Sequence, residues 1–225
     1  MKLIPALLGE FLGSLLLSAI VIGSGIAAQQ LSPGQIGLEL LENAGATAVG
    51  LYVLITVFGP LSGAHFNPLV SFVDVIMHKS SFARALAYLP AQILGCCVGA
   101  VLANAMFALP VVTFSLHHRV TGPHLLAEGV ATAGLLLVIF ALSRTGQSSK
   151  SAPAVACYIG AAYFFTSSTS FANPAIAIGR MLTDSFAGIA PSSVPMFVVI
   201  ECLGAAVAVV LLHLLFPERN SHEHS

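Results

Sequence analysis

The sequence predicts an all-α membrane protein: six transmembrane helices and two re-entrant half-helices, arranged as an inverted repeat. The 225-residue chain is 57% hydrophobic and 8% charged, with a mean hydropathy of +0.95. A water-soluble domain could not sustain that composition, because its surface needs charge. Apolar runs of spanning length recur along the chain. Two Asn-Pro motifs, one in each half, are each followed by about ten apolar residues, roughly half of what a bilayer-crossing helix requires.

Lys2, an apolar run and Gly25-Ile26-Ala27-Ala28 superficially resemble a signal peptide with its cleavage site. Glu10 interrupts that run, and the apolar stretch exceeds a signal core of about 7–15 residues, so a retained first span over about 3–28 is expected. A second span follows at about 39–59. No charge lies between Glu42 and Asp74, yet Gly59-Pro60 and Asn67-Pro68 break the stretch, so it reads as a span, a turn and a half-helix over about 67–78. The third span covers about 82–108. The second half repeats the pattern with spans at about 124–143, 152–170 and 195–216 and a half-helix at about 173–185. The expected organisation is one domain over 1–225, with repeats at about 3–108 and 124–216 and a flexible tail at 217–225.

Charge sets the orientation. With the N-terminus inside, Lys2, Lys79, Arg84, Arg144, Lys150 and Arg219 are cytoplasmic, and Arg119 and Arg180 lie outside. The protein is therefore expected to be multi-pass in the cell membrane with both termini cytoplasmic. No basic, aromatic-interleaved surface points to nucleic acid. Cys96, Cys97, Cys157 and Cys202 lie in apolar runs without CxxC spacing, which predicts buried, inert thiols and neither zinc nor disulfide. No metal site or cofactor is expected. His222 and His224 fall in the polar tail, and His117, His118 and His124 flank an outer loop as solvated turn residues.

The two halves echo one another. Glu10-Phe11-Leu12-Gly13 opens the first span and Glu128-Gly129 the fourth, while Gln92-Ile93-Leu94-Gly95 and Glu201-Cys202-Leu203-Gly204 occupy matching places in the third and sixth. Three spans per repeat is an odd number, so the second repeat enters the membrane upside down. The half-helices then enter from opposite faces and meet near the midplane. Asn67 and Asn173 N-cap them, with Pro68 and Pro174 at the first helical position. Non-helical backbone at that depth must be buried or line a wet cavity. Gly63-Ala64-His65 and Thr169-Ser170-Phe171 would present a ladder of carbonyl acceptors there, and the Asn side chains would offer N–H donors where two positive dipole ends converge.

Ser62-Gly63-Ala64-His65-Phe66-Asn67-Pro68 and Asn173-Pro174-Ala175, within a six-span inverted repeat, resemble the aquaporin and aquaglyceroporin (major intrinsic protein) family over nearly the whole chain. The resemblance implies a passive pore, a homotetramer in the lipid bilayer, and Glu10 and Glu128 as scaffold acceptors for the backbone N–H groups of the re-entrant loops. Two positions depart from the family. Leu69 stands where Ala is usual, and Ile176 stands where the family carries the Arg of its outer constriction. Counted as the family counts them, the remaining filter positions fall on Thr47 (or Val49, if a gap intervenes), Ala161 and Ser170. Arg180, one helical turn beyond Ile176, has no family warrant to replace the missing Arg. These residues imply a wide, weakly polar filter passing glycerol, urea or neutral metalloid acids such as arsenous acid, with water.

Three other readings remain open from sequence: a water-selective channel, a proton-coupled transporter titrating Glu10 and Glu128, and an intramembrane enzyme. The last is the weakest, because no Ser-His, paired-Asp or HExxH arrangement falls at the midplane. Gly13, Gly95, Gly99, Gly129, Gly134 and Gly204 fit close helix packing. Glu201 is ambiguous between scaffold and relay, and His65 is expected in the loop's hydrogen-bond network rather than in a metal site.

Overall fold

A computed structural model describes residues 2–217. The tail from 218 onward, with Arg219, His222 and His224, lies outside the described residues. The first repeat contains α1 (Leu3–Leu31), α2 (Ile36–Ser62), α3 (Pro68–Ile76) and α4 (Phe82–Met106). The second contains α5 (Gly122–Arg144), α6 (Ser151–Phe165), α7 (Pro174–Arg180) and α8 (Val194–Leu215). A 3₁₀ turn, Ser148–Lys150, leads into α6, and another, Pro191–Ser193, leads into α8. Among the described residues, five helices are long and apolar enough to cross a membrane. The sixth, α6, has 15 residues, about 22 Å at ~1.5 Å per residue, and the preceding 3₁₀ turn extends it.

Three expected boundaries move. Pro60 does not end the second span: α2 continues through it to Ser62 and stops at left-handed Gly63, whose N–H donates to the Gly59 carbonyl at 3.0 Å. Proline interrupts a helix by removing its own N–H and clashing one turn earlier, which one further turn at the helix end tolerates. The fifth span stops at Phe165 rather than near 170, because Thr169, Ser170 and Ala172 have positive φ and cannot be helical. The second half-helix is seven residues long and ends at Arg180 rather than near 185.

Polarity is inverted relative to a soluble protein. Large apolar side chains such as Leu8, Val53, Leu94, Leu126, Phe164 and Val207 are exposed, whereas Glu10, Gln92, Glu128 and Glu201 are fully buried. This is the surface that hydrocarbon requires. It also corrects the thiol expectation: Cys96 is buried and Cys97 half-buried, but Cys157 and Cys202 are exposed. An apolar run on a bilayer helix faces lipid as readily as protein.

The helix pairs repeat across the inverted halves. Within each repeat the most extensive packing is α1 on α4 and α5 on α8, and each half-helix also touches the other repeat, α3 against α8 and α7 against α4. Small residues allow the approach: a Cβ on Gly95 would stand 2.5 Å from the Phe11 carbonyl oxygen, and one on Gly204 would stand 2.5 Å from the Gly129 carbonyl oxygen. In a bilayer, where apolar burial gives helices little reason to associate, such backbone proximity supplies the packing.

Candidate functional site

The loops preceding α3 and α7 are built alike. In the first, Gly63, Ala64 and Phe66 take φ of 95°, 50° and 49°; in the second, Thr169, Ser170 and Ala172 take 66°, 52° and 49°. Each left-handed non-glycine residue costs about 1–2 kcal/mol, so something must hold these loops. Glu10 holds the first. Its Oε1 accepts from the His65 N–H (3.0 Å) and Ser62 Oγ (2.6 Å), and its Oε2 from the Phe66 N–H and Gln92 Nε2 (both 2.7 Å). Glu128 holds the second, accepting the Phe171 N–H at 2.9 Å and the Ala172 N–H at 2.8 Å on separate oxygens. Hydrogen bonds to charged groups contribute about 1.5–3 kcal/mol each, enough to offset the backbone strain. Glu201 adds a further acceptor, taking the Asn173 N–H at 3.0 Å. Gln92, read from sequence only as the repeat partner of Glu201, bridges Glu10 to Ser71 Oγ at 3.0 Å.

The two Asn residues lock the loops to one another. Asn67 Oδ1 caps α3 by accepting the Leu69 N–H at 2.9 Å, while Asn67 Nδ2 donates across to the Ala172 carbonyl at 2.7 Å. Asn173 Oδ1 caps α7 by accepting the Ala175 N–H at 3.0 Å, and Asn173 Nδ2 donates back to the Phe66 carbonyl at 2.8 Å. An amide carries two N–H donors, so each Asn keeps one for the space between the loops.

That space is a cavity of ≈ 350 Å³ running past both Asn side chains. Lys79, Arg84 and Ser148 border one end, and Tyr163, Thr47 and Arg180 border the other. Gly63, Ala64, His65, Ser170 and Phe171 of the expected carbonyl ladder line it; Thr169 does not. Pro68, Pro174 and Ala175 are buried in the half-helices and are not on its wall. Leu69 is buried in an apolar cluster with Leu136, Ala208 and Leu212, so it ties α3 to the second repeat instead of facing the cavity. His65 lines the cavity with Nδ1 3.0 Å from Ser71 Oγ and its ring edge-on to Tyr88. Among the described residues no three His, Cys, Asp or Glu side chains come together as a metal site.

The filter positions divide. Thr47, Ser170 and Ile176 line the cavity, and of the two second-span alternatives Val49 is 67% exposed while Thr47 is 2% exposed. Ala161 is exposed and absent from the cavity wall, so its placement in the filter is corrected. On α6 the inward stripe is Val155, Ile159 and Tyr163, spaced by four. Ala161 lies two residues from either of its neighbours in that stripe and so faces away. Tyr163 brings an aromatic ring and a hydroxyl, 3.2 Å from Thr47 Oγ1. The sequence of α6 is apolar on every side, so nothing in it chose which face turned inward.

Arg180 is 2% exposed, lines the cavity, donates from Nε to the Ala187 carbonyl and lays its Cζ 3.5 Å from the Phe171 ring centroid. Arg119 approaches the same ring at 5.4 Å, donating from Nε to the Gly188 carbonyl (2.7 Å) and from Nη2 to Phe186 (3.0 Å). Burial pushes the Arg119 guanidinium below its usual pKa range, opposed by the charge of Glu128. Around this mouth His117 sits 3.6 Å from Asp184, and His124 Nδ1 is 2.9 Å from the Arg119 carbonyl.

Comparison with known proteins bears on the family and the fold. The family model described as Major intrinsic protein matches residues 1–172. The chain is 46% identical over 213 residues to aquaglyceroporin AqpS of Rhizobium meliloti (strain 1021), covering 93% of this chain and 90% of that one. It is 33% identical over 141 residues to the lens fiber major intrinsic protein of Gallus gallus, covering 60% of this chain and 52% of the relative. In three dimensions it resembles the aquaglyceroporin from Plasmodium falciparum with a TM-score of 0.72 at 20% identity, covering 94% and 96% of the two chains.

Proposed function

The chain belongs to the major intrinsic protein family and is a multi-pass membrane channel for small neutral solutes rather than an enzyme; on that premise we propose that it conducts water together with polyols, urea and neutral metalloid acids such as arsenous acid. One observation carries the proposal: a cavity passes the paired Asn67 and Asn173 side chains, lined both by aliphatic side chains and by loop residues whose carbonyls accept no other hydrogen bond among the described residues. Leu17, Val21, Leu135, Ile159 and Ile176 supply the apolar wall. The carbonyls of Gly63, Ala64, His65, Ser170 and Phe171 accept none of the hydrogen bonds within the described residues. A polyol or As(OH)₃ exchanges water hydrogen bonds for these acceptors while its carbon or arsenic face slides along the aliphatic side. Ile176 supports the wider permeant class, because it leaves aliphatic surface where a guanidinium would project.

Tyr163 favours one alternative, a water-selective channel, since it sets an aromatic ring on the cavity wall beside Thr47. The transporter reading loses its support: Glu10 and Glu128 are both engaged as loop acceptors and neither lines the cavity. We place the termini in the cytoplasm of a cell-membrane protein on the distribution of Lys and Arg, and we assign a homotetramer by family resemblance. Reconstitution into liposomes decides the permeants. Light-scattering swelling curves in water, glycerol, urea and arsenite gradients should all exceed those of empty vesicles and persist when the proton gradient is collapsed. A channel that passes water and rejects the other three is the water-selective alternative.

A further inference from the structure

We propose that Arg180 is the specificity-determining cation of this channel, supplying from the end of α7 the guanidinium that Ile176 lacks at its start. The inference rests on the channel reading above and deepens it. On a helix, four residues advance about 6 Å along the axis and return to nearly the same face, so Arg180 stands above Ile176 on the cavity side, one turn farther out. Arg180 is 2% exposed, yet no carboxylate lies within ion-pair distance of it among the described residues. Its Nε is committed to the Ala187 carbonyl and its plane to the Phe171 ring. The Nε bond to Ala187 is the one side-chain hydrogen bond Arg180 makes among the described residues, which leaves Nη1 and Nη2 without an acceptor there, and the side chain lines the cavity.

Those two nitrogens are therefore donors aimed at whatever occupies the outer end. Arg119, hung from Gly188 and Phe186 beside the same ring, adds a second positive charge without joining the wall. Burying a cation without a counter-ion is unfavourable, and its retention here has a physical consequence. Cations meet a positive field that the buried Glu128 and Glu201 offset only in part, from beyond ion-pair distance, while neutral solutes rich in oxygen acceptors gain hydrogen bonds from a planar, fixed donor pair. With Tyr163 and Thr47 lining the same end, the outer end is polar and cationic at Arg180 and turns aliphatic one turn deeper, at Ile176.

The test compares the parent with Arg180→Leu and Arg180→Lys in proteoliposomes, measuring water, glycerol and erythritol swelling alongside potassium and proton leak under an imposed potential. Arg180→Leu should keep water flux, raise erythritol flux severalfold relative to water and introduce a cation leak absent from the parent. Arg180→Lys keeps the charge but loses the planar fork, so cation exclusion should survive while the polyol-to-water ratio shifts. A folded Arg180→Leu with the parent's solute ratio and no cation leak overturns the proposal and makes Arg180 a strut for the 186–188 loop. If Arg180→Leu does not fold, Arg180→Lys decides: an unchanged polyol-to-water ratio overturns the role, and a shifted one supports it. A parent that passes water alone removes the polyol reading, and Arg180 is then judged by the cation leak of its variants.

Discussion

Replacing Glu10 with Gln changes one atom and tests how the first re-entrant loop is held. In the parent, Oε1 and Oε2 together accept from Ser62 Oγ, the His65 N–H, the Phe66 N–H and Gln92 Nε2. Gln offers one oxygen, which can keep Ser62 and His65, and one NH₂, which then meets two donors head-on. Gln92 relieves one of these by turning over, because its Oε1 is buried without a partner and would then accept from the new amide. The Phe66 N–H is left unsatisfied, at a cost of about 1–3 kcal/mol for one buried donor. Glu10→Leu orphans the His65 and Phe66 N–H groups together, for ~2–6 kcal/mol by the same measure. A titrating transporter would instead lose transport in both variants without this graded loss of stability. Unfolding in detergent should rank parent, Gln and Leu in that order, with water flux retained in Glu10→Gln. Equal stability of all three would refute the scaffold argument, as would pH-driven solute accumulation in the parent that Glu10→Gln abolishes.

Asn173→Leu removes the donor to the Phe66 carbonyl and fills the cavity at its centre, so flux of every solute should fall to the level of empty liposomes while the protein still reconstitutes; normal flux in the folded variant would remove the pore assignment. Ile176→Arg should depress glycerol and arsenite swelling more than water by projecting a second guanidinium below Arg180, and an unchanged solute ratio would show that position 176 does not face the solute. Ala161→Phe should leave the water-to-glycerol ratio untouched, whereas Ile159→Phe on the inward stripe should lower glycerol flux; the reverse ranking in swelling assays would reinstate Ala161 in the filter. Gly13→Ala should cost about 1–3 kcal/mol by overpacking, since its Cβ would fall within the Phe66 ring, and a melting temperature equal to the parent's would contradict that packing.

The inverted repeat, the spans and the two half-helices were legible along the chain because each depends on local chemistry. Twenty apolar residues make a bilayer helix, Asn-Pro starts one, and matching Glu, Gly and Asn-Pro positions declare the repeat. The roles of Glu10 and Glu128 came from their symmetric places and from family resemblance, and the geometry of both loops accords with them. What stayed hidden was which face of each helix turns inward. Ala161 and Tyr163 are two residues apart on one apolar helix, and hydropathy treats the lipid face and the pore face alike, so counting along the family's alignment chose the wrong one. Leu69 and the exposed thiols of Cys157 and Cys202 were placed by the same decision. Arg180 shows the limit most clearly. Its position one turn beyond Ile176 can be read from the chain, but its direction is set by the Ala187 carbonyl and the Phe171 ring. Those partners are brought to it by the turn after α7 and by the loop that Glu128 holds, and long-range contacts of that kind have no local signature.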